Sequence, residues 1–325
     1  MQQYLDLVKH VIGCGTRKEN RTGVDTLSTF GYYFEHDLQY GFPLLTTKAV
    51  SWKNIVVEML WFLSGQTDIS ILKRHGCKFW DAWADENGKV PSAYGNFWRQ
   101  FPVHGKDRAL PSEGAEPIGD YNDQIAWVLA ELKRNPMSRR MVVSAWAPGN
   151  AQTSKLPPCH CLFMFNVQNE DMIEHHPPKE NDDGRTLVPT VMGTKQRLCL
   201  HLTQRSCDVA LGVPYNIASY ALLLSLFSHF TGIKPGIFGH SLVDAHIYTA
   251  KPDGSKAEFD HIPGLKQQLT RKPFQLPRLK ISDEIRSLED IERLMGPDVT
   301  TDEVMRHFVL EGYDSHPAIN FKVAV

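Results

Sequence analysis

Helix-like and strand-like stretches follow one another in this chain without a regular strand-helix-strand repeat, and that irregular order limits the folds open to it. A doubly wound parallel sheet needs a repeated crossover unit, so the pattern favours an α+β architecture instead. Strand candidates are "MVVSAW" (141–146), "CLFMFNV" (161–167), "RLCLHLT" (197–203) and "GIFGHSLVDAHIY" (236–248). "TLSTFGYYFEHDL" (26–38) reads as a strand or hairpin leading into the loop "GFPLLTTK". Leu5, Val8, Val11 and Ile12 sit at helical spacing before Gly13. A second helix runs from the cap candidate Ser51 through Ile55, Met59, Leu60 and Leu63 to Gly65. Further helices are predicted around 68–75, 120–134, 216–231, 260–270 and 288–295. No repeat or linker divides the chain, so 1–325 reads as a single domain. Two polar stretches rich in Pro, Gly and charge mark surface insertions near 168–196 and 249–260.

Composition excludes some partners. With 42% apolar and 22% charged residues and a formal charge of −2, the chain lacks the basic excess of a polyanion binder, so any anion site is local and no nucleic acid is required. Its six cysteines show no paired framework spacing and its first residues are amphipathic rather than a secretory signal. The longest apolar run, "SYALLLSLFSHFTG", is broken by His229 and is too short to cross a bilayer. A reducing cytoplasmic setting without a membrane anchor is the expectation.

The stretch "KLPPCHCLFMF" (155–165) poses the chemical question. Cys159 could be a metal ligand with His160 and Cys161, a small buried hydrophobe opening a strand, or a nucleophile behind a rigid Pro-Pro lead-in. Structural zinc usually draws ligands from paired C-x2-C turns, and no second cluster is present. The core reading suits Cys161 better than Cys159. A nucleophile needs a nearby cation to favour the thiolate, and "SRR" (138–140) and "QRS" (204–206) offer candidates, although either could be a solvated surface group. Arginines converging with Ser206 would form a phosphate clamp. Glu58 sits on an otherwise apolar helix, where burial would tune it as a general acid or base, while a water-facing Glu is the plain alternative.

Motifs in chain order carry a resemblance: "NRTGVDTLSTFG", "FPLLTTK", "VEMLWFLSG", "FWDAWADENG", "YGNFWR", "SRRMVVSAW", "LPPCH", "QRSCDVALGVPYNIASYALL" and "DAHIY". Together they resemble the folate-dependent thymidylate synthases and their nucleotide hydroxymethylase relatives. The resemblance implies a large twisted mixed sheet packed by helices, with one sheet face at the interface of a homodimer. It implies that Cys159 adds to C6 of a pyrimidine nucleotide, with Glu58, Tyr94 and Asp208 in catalysis. Arg21, Arg205 and Ser206 would hold the 5′-phosphate, with Arg139 and Arg140 reaching in from the other subunit. His246 and Tyr248 would take the sugar 3′-hydroxyl, Asn216 the base edge, and His160 and Gln204 would support the nucleotide. Asn216 suits uracil, whose N3–H and O4 match an amide, whereas hydroxymethylases acting on cytidylate carry Asp there; as a local alternative, Asn216 could cap its helix.

By the same resemblance Trp80, Trp83, Leu156, Asp208, Leu211, Gly212, Tyr215 and Ala324 line a folate pocket, and Lys48 faces the folate glutamate tail. Two indoles alone would by default be core. The co-substrate is 5,10-methylenetetrahydrofolate, with no metal and no flavin. The implied reaction methylates dUMP to dTMP and leaves dihydrofolate. Ala49, Lys322, Val325, the absence of the usual "NH" after Tyr248 in "HIYTAKPDG", and "WAP" at 146–148 depart from the family pattern. They fall in the closing apparatus, so the alternative activity is dUMP hydroxymethylation, with water attack giving 5-hydroxymethyl-dUMP and tetrahydrofolate. A nucleotide-binding protein without turnover is the alternative of another class.

Overall fold

The computed structural model describes residues 1–20, 22–103, 121–151, 156–173 and 191–324. Its described strands are β1 (Thr16–Lys18), β2 (Asp25–Asp37), β3 (Phe101–Pro102), β4 (Tyr121–Asn122), β5 (Val142–Ser144), β6 (His160–Ile173), β7 (Val191–Asp208), β8 (Lys234–Thr249), β9 (Arg278–Ile281) and β10 (Phe308–Glu311). Six of them form the central sheet in the order β1, β2, β8, β7, β6, β5, while β3 pairs with β4 and β9 with β10. Within the sheet β7 and β8 run parallel and the other neighbours antiparallel. The expected mixed sheet packed by helices is therefore present.

The described helices are α1 (Gln2–Cys14), α2 (Trp52–Leu63), α3 (Ser70–Arg74), α4 (Tyr94–Arg99), α5 (Gln124–Arg134), α6 (Pro148–Ala151), α7 (Gly212–Thr231), α8 (Ile262–Leu269), α9 (Leu288–Leu294) and α10 (Thr301–Met305). A parallel pair cannot be joined by a hairpin, and α7 supplies the crossover from β7 to β8. It is apolar nearly all round, so it is buried on nearly every side, packed on β7 and β8 beneath and against α2 and α5. Phe227 stacks on Phe165 of β6 at 4.4 Å. Burial of each such side chain contributes about 1.5–3 kcal/mol. Gly232, at φ 73°, ends α7 in the left-handed region where a side chain would strain. As expected, α2 starts at Ser51, whose hydroxyl accepts from Asn54 N.

Alternation divides the sheet faces. Phe163, Phe165, Leu200, Leu202 and Phe238 point into the helical layer. On the opposite face Tyr33, Val142 and Met164 are 53%, 39% and 39% exposed in the single chain. No helix among the described residues is long and apolar enough to cross a membrane.

Two polar stretches of the sequence position the site. The 168–196 stretch is not all excursion: β6 and β7 pair from Gln168↔Arg197 out to Ile173↔Val191, because ladder hydrogen bonds do not require apolar side chains. The 249–260 stretch does leave the sheet, and it closes on itself. His261 N donates to Tyr248 O at 3.0 Å, so the chain returns to the point it left. The "DH" at 260–261 thus arrives beside Tyr248 after a detour.

Candidate active site

A register shift between His160 and Leu162 opens β6 where it faces Gln204 and Thr203. Cys159 stands just before this bulge. Its N–H donates to the Tyr94 hydroxyl at 3.0 Å, its carbonyl accepts from Arg205 N at 2.9 Å, and the His160 ring stacks on Tyr94 at 4.6 Å. Pro157 and Pro158 have no N–H to give, but their carbonyls hold a guanidinium. Arg205 Nε donates to Pro158 O at 2.8 Å, and Nη2 donates to Pro157 O at 2.7 Å and to Cys159 Sγ at 3.7 Å. Trp146 lies under the same group at 5.6 Å. The proline pair thus fixes a cation at the sulfur. Cys161 Sγ is directed at the Cys159 carbonyl, 3.7 Å away, and lines neither lobe of the cleft. No group of three His, Cys, Asp or Glu side chains able to hold a metal is found among the described residues.

Cys159 lies where two lobes of one cleft meet. The first, about 280 Å³, is lined by Lys18, Asn20, Thr22, Thr26, Arg205 and Asp244. The second, about 300 Å³, is lined by Glu58, Trp80, Trp83, Tyr94, Asp208 and Asn216, with Ala324 at its rim. Leu156, Cys159, Ser206, His246 and Tyr248 border both.

Charge in the cleft is tuned by burial and by a few bonds. Burial raises Glu58 to about 7, against the pull of the Trp80 indole N–H, which donates to its Oε1 at 2.7 Å. Burial lowers His160 to about 3, so its ring is neutral, and it pushes the Tyr94 hydroxyl well above the usual tyrosine range. Gln204 Nε2 donates to Asn216 Oδ1 at 3.0 Å, and Gln204 Oε1 pairs with Nε2 of fully buried His240 at 2.9 Å. Asp244 accepts from Lys18 Nζ and Ser28 Oγ, each at 2.6 Å, and its carbonyl faces His246 Nδ1 at 3.1 Å. Burial opposes protonation of His246, but the Asp244 bond and the charges of Asp208 and Asp244 raise its pKa overall.

Most residues singled out by sequence meet at the cleft. Asp208 Oδ1 accepts from Ala210 N and Leu211 N at 2.9 and 3.1 Å, so this carboxylate also fixes the turn into α7. Gly212 borders the second lobe, and Tyr215 packs edge-on to Phe79, which lines it, at 5.0 Å. Asn216 lies inside α7 rather than at its cap, because the helix begins at Gly212.

Arg21 and Val325 lie outside the described residues. Arg139 and Arg140 are exposed and line neither lobe; Arg139 borders the open sheet face instead. Lys48 is 4% exposed and lines neither lobe, donating to Ala210 O at 2.5 Å beneath the Phe321 ring. Sequence reasoning missed Lys18, Asp244 and His240. Asp244 was visible inside "DAHIY", but its partners Lys18 and Ser28 come from β1 and β2, which only the sheet order brings alongside. A family model described as thymidylate synthase matches residues 2–325.

Proposed function

Because the chain belongs to the thymidylate synthase family of one-carbon-transferring enzymes, we propose that it methylates dUMP to dTMP. Its co-substrate in this reading is 5,10-methylenetetrahydrofolate, and dihydrofolate is the second product. The observation that carries the proposal is Cys159 at the junction of two lobes with Arg205 fixed against its sulfur.

The first lobe suits a nucleotide. Arg205 and Ser206, with Lys18, Asn20 and Thr22 nearby, offer donors for a 5′-phosphate, and His246 and Tyr248 suit the sugar hydroxyl. The base then lies over Cys159 against Asn216. A cation beside the sulfur favours the thiolate. Sγ bonds to C6, the C5–C6 π pair moves toward C5 and O4, and C5 becomes nucleophilic. Asn216 Nδ2 donates to O4. Glu58, near 7, can hold or release a proton there at neutral pH. Tyr94 keeps its proton, so it assists loss of the C5 hydrogen as a hydrogen-bond relay rather than as a phenolate.

The second lobe fits a flat, donor-edged ring. Trp80 and Trp83 supply aromatic wall, and the Asp208 carboxylate, bound through Oδ1 to two backbone N–H groups, keeps Oδ2 for a donor edge. Bound folate supplies the one-carbon unit and the closing hydride. Trp80 and Ala324 narrow the lobe against water, which favours methylation over hydroxymethylation. The apolar open sheet face and the outlying Arg139 support a homodimer that adds Arg139 and Arg140 to the partner's phosphate site. In this reading the protein is cytoplasmic.

Incubation with dUMP and 5,10-methylenetetrahydrofolate, followed by mass spectrometry of both products, tests the reading. Thymidylate with dihydrofolate is expected. Hydroxymethyl-dUMP with tetrahydrofolate overturns the methyl product, and nucleotide binding without turnover overturns the enzymatic reading.

A further inference from the structure

The C-terminal segment and the sugar end of the cleft meet at a side chain the mechanism above does not use. His261 is 1% exposed and precedes α8, where its ring makes no capping bond. Its ring lies 5.6 Å from that of Tyr248, whose carbonyl accepts from His261 N. Its Nε2 donates to Lys322 O at 2.9 Å. A carbonyl only accepts, so the ring carries its hydrogen on Nε2, while buried Nδ1 has no hydrogen-bond partner among the described residues.

The contacts continue in both directions. Tyr248 lies edge-on to His246 at 5.5 Å, and Phe321 lies 4.9 Å from His261. Lys48 Nζ sits 4.8 Å from the Phe321 centroid and donates to Ala210 O in the turn held by Asp208. A continuous row therefore joins the sugar end of the first lobe to the turn held by Asp208, a residue that lines the second. Among the described residues, the His261 to Lys322 bond is the last side-chain hydrogen bond along the chain, and Ala324 reaches the second lobe two residues later.

Building on the function proposed above, we infer that His261 is a positioning residue holding the C-terminal segment against Tyr248. Nucleotide at the sugar end and the segment over the second lobe then stabilise each other. Such coupling is reciprocal, so each should tighten the other by the same factor.

Three variants separate this role from simple stability. His261→Ala removes the donor. His261→Gln restores an N–H at similar reach. Gly264→Ala leaves His261 intact but places a Cβ 2.6 Å from Phe321 Cε1 and 3.0 Å from Ile319 Cγ2, at a helical position that alanine favours. The readouts are carboxypeptidase release of the last residues with and without dUMP, steady-state KM for each substrate, and the thermal midpoint.

In the parent chain dUMP should slow release about tenfold, the worth of one buried hydrogen bond. His261→Ala and Gly264→Ala should lose that protection and raise the folate KM about tenfold, with dUMP affinity weakened by no more than the lost factor. His261→Gln should recover both. Unchanged protection and folate KM in His261→Ala overturn the inference, and if that variant fails to fold, an unaffected Gly264→Ala does so alone. A parent chain that binds no dUMP overturns the functional reading instead; equal release from the parent and His261→Ala without nucleotide would still remove His261 from its role.

Discussion

The side-chain amide of Gln204 donates to Asn216 Oδ1 at 3.0 Å. Burial holds His240 well below the usual histidine range, so its ring is neutral and its Nε2–H donates to Gln204 Oε1 at 2.9 Å. That chain of donors fixes the Asn216 amide with Nδ2 free of Gln204, the orientation needed to donate to O4 of uracil. Asn216→Asp keeps the bond from Gln204 but removes the donor and adds an acceptor for a cytosine amino group. The ratio of kcat/KM for dUMP over dCMP should fall by about a hundredfold or more, measured in one competition assay. An unchanged ratio would show that Asn216 does not read the base.

Glu58 titrates near 7 in the folded chain because burial disfavours its charge. Its folded pKa lies above its unfolded value, so the folded state binds the extra proton between about 4.5 and 7. Stability therefore falls as pH rises through that window, by at most about 3 kcal/mol, since the side chain is partly open to the cleft. Glu58→Gln should flatten this slope in denaturant titrations. It should also remove a limb near pH 7 from the kcat profile.

Asp244 raises the His246 pKa and also anchors Lys18 and Ser28. Asp244→Asn should move the His246 ring titration to lower pH, followed by NMR of the labelled imidazole. The nucleotide KM should rise about tenfold as the ring loses the carboxylate charge 3.6 Å from its Nδ1, with the Asp244 backbone carbonyl still facing it. A shifted titration with unchanged KM would separate the charge from sugar binding.

Cys159→Ser keeps the contacts around the first lobe but replaces the thiol. Nucleotide affinity by calorimetry should stay within about threefold, while turnover falls by more than about a thousandfold. Full activity in the serine variant would return Cys159 to an ordinary strand residue.

Much of this fold could be read from the chain because local and tertiary demands agree. Ser51 and Gly65 bracket α2, and the apolar runs of β6, β7 and β8 fall at their expected places. Residues 26–38 read as a strand or hairpin, and β2 is one strand over Asp25–Asp37, passing through Gly31 at φ 78° without a reversal. Helices α4 and α10 and the β9–β10 pair gave too short a period to detect. Around the cleft, single residue types were readable but their partners were not. Arg205 could be named as a cation, yet its seat on the Pro157 and Pro158 carbonyls depends on β7 lying beside the bulge in β6. Lys48 shows the reverse: its motif implied a ligand contact, while packing turns its amine inward under Phe321.

The detour between Tyr248 and His261 also makes the molecule a host. Its two ends are pinned together by one backbone hydrogen bond, and its tip, a turn from Lys251 to Gly254, is exposed. Lengthening a loop whose ends already meet costs little, roughly 0.6 kcal/mol per doubling. A fluorescent reporter or an entire guest domain spliced at Gly254 would therefore leave the sheet undisturbed while being tethered beside the sugar end of the cleft.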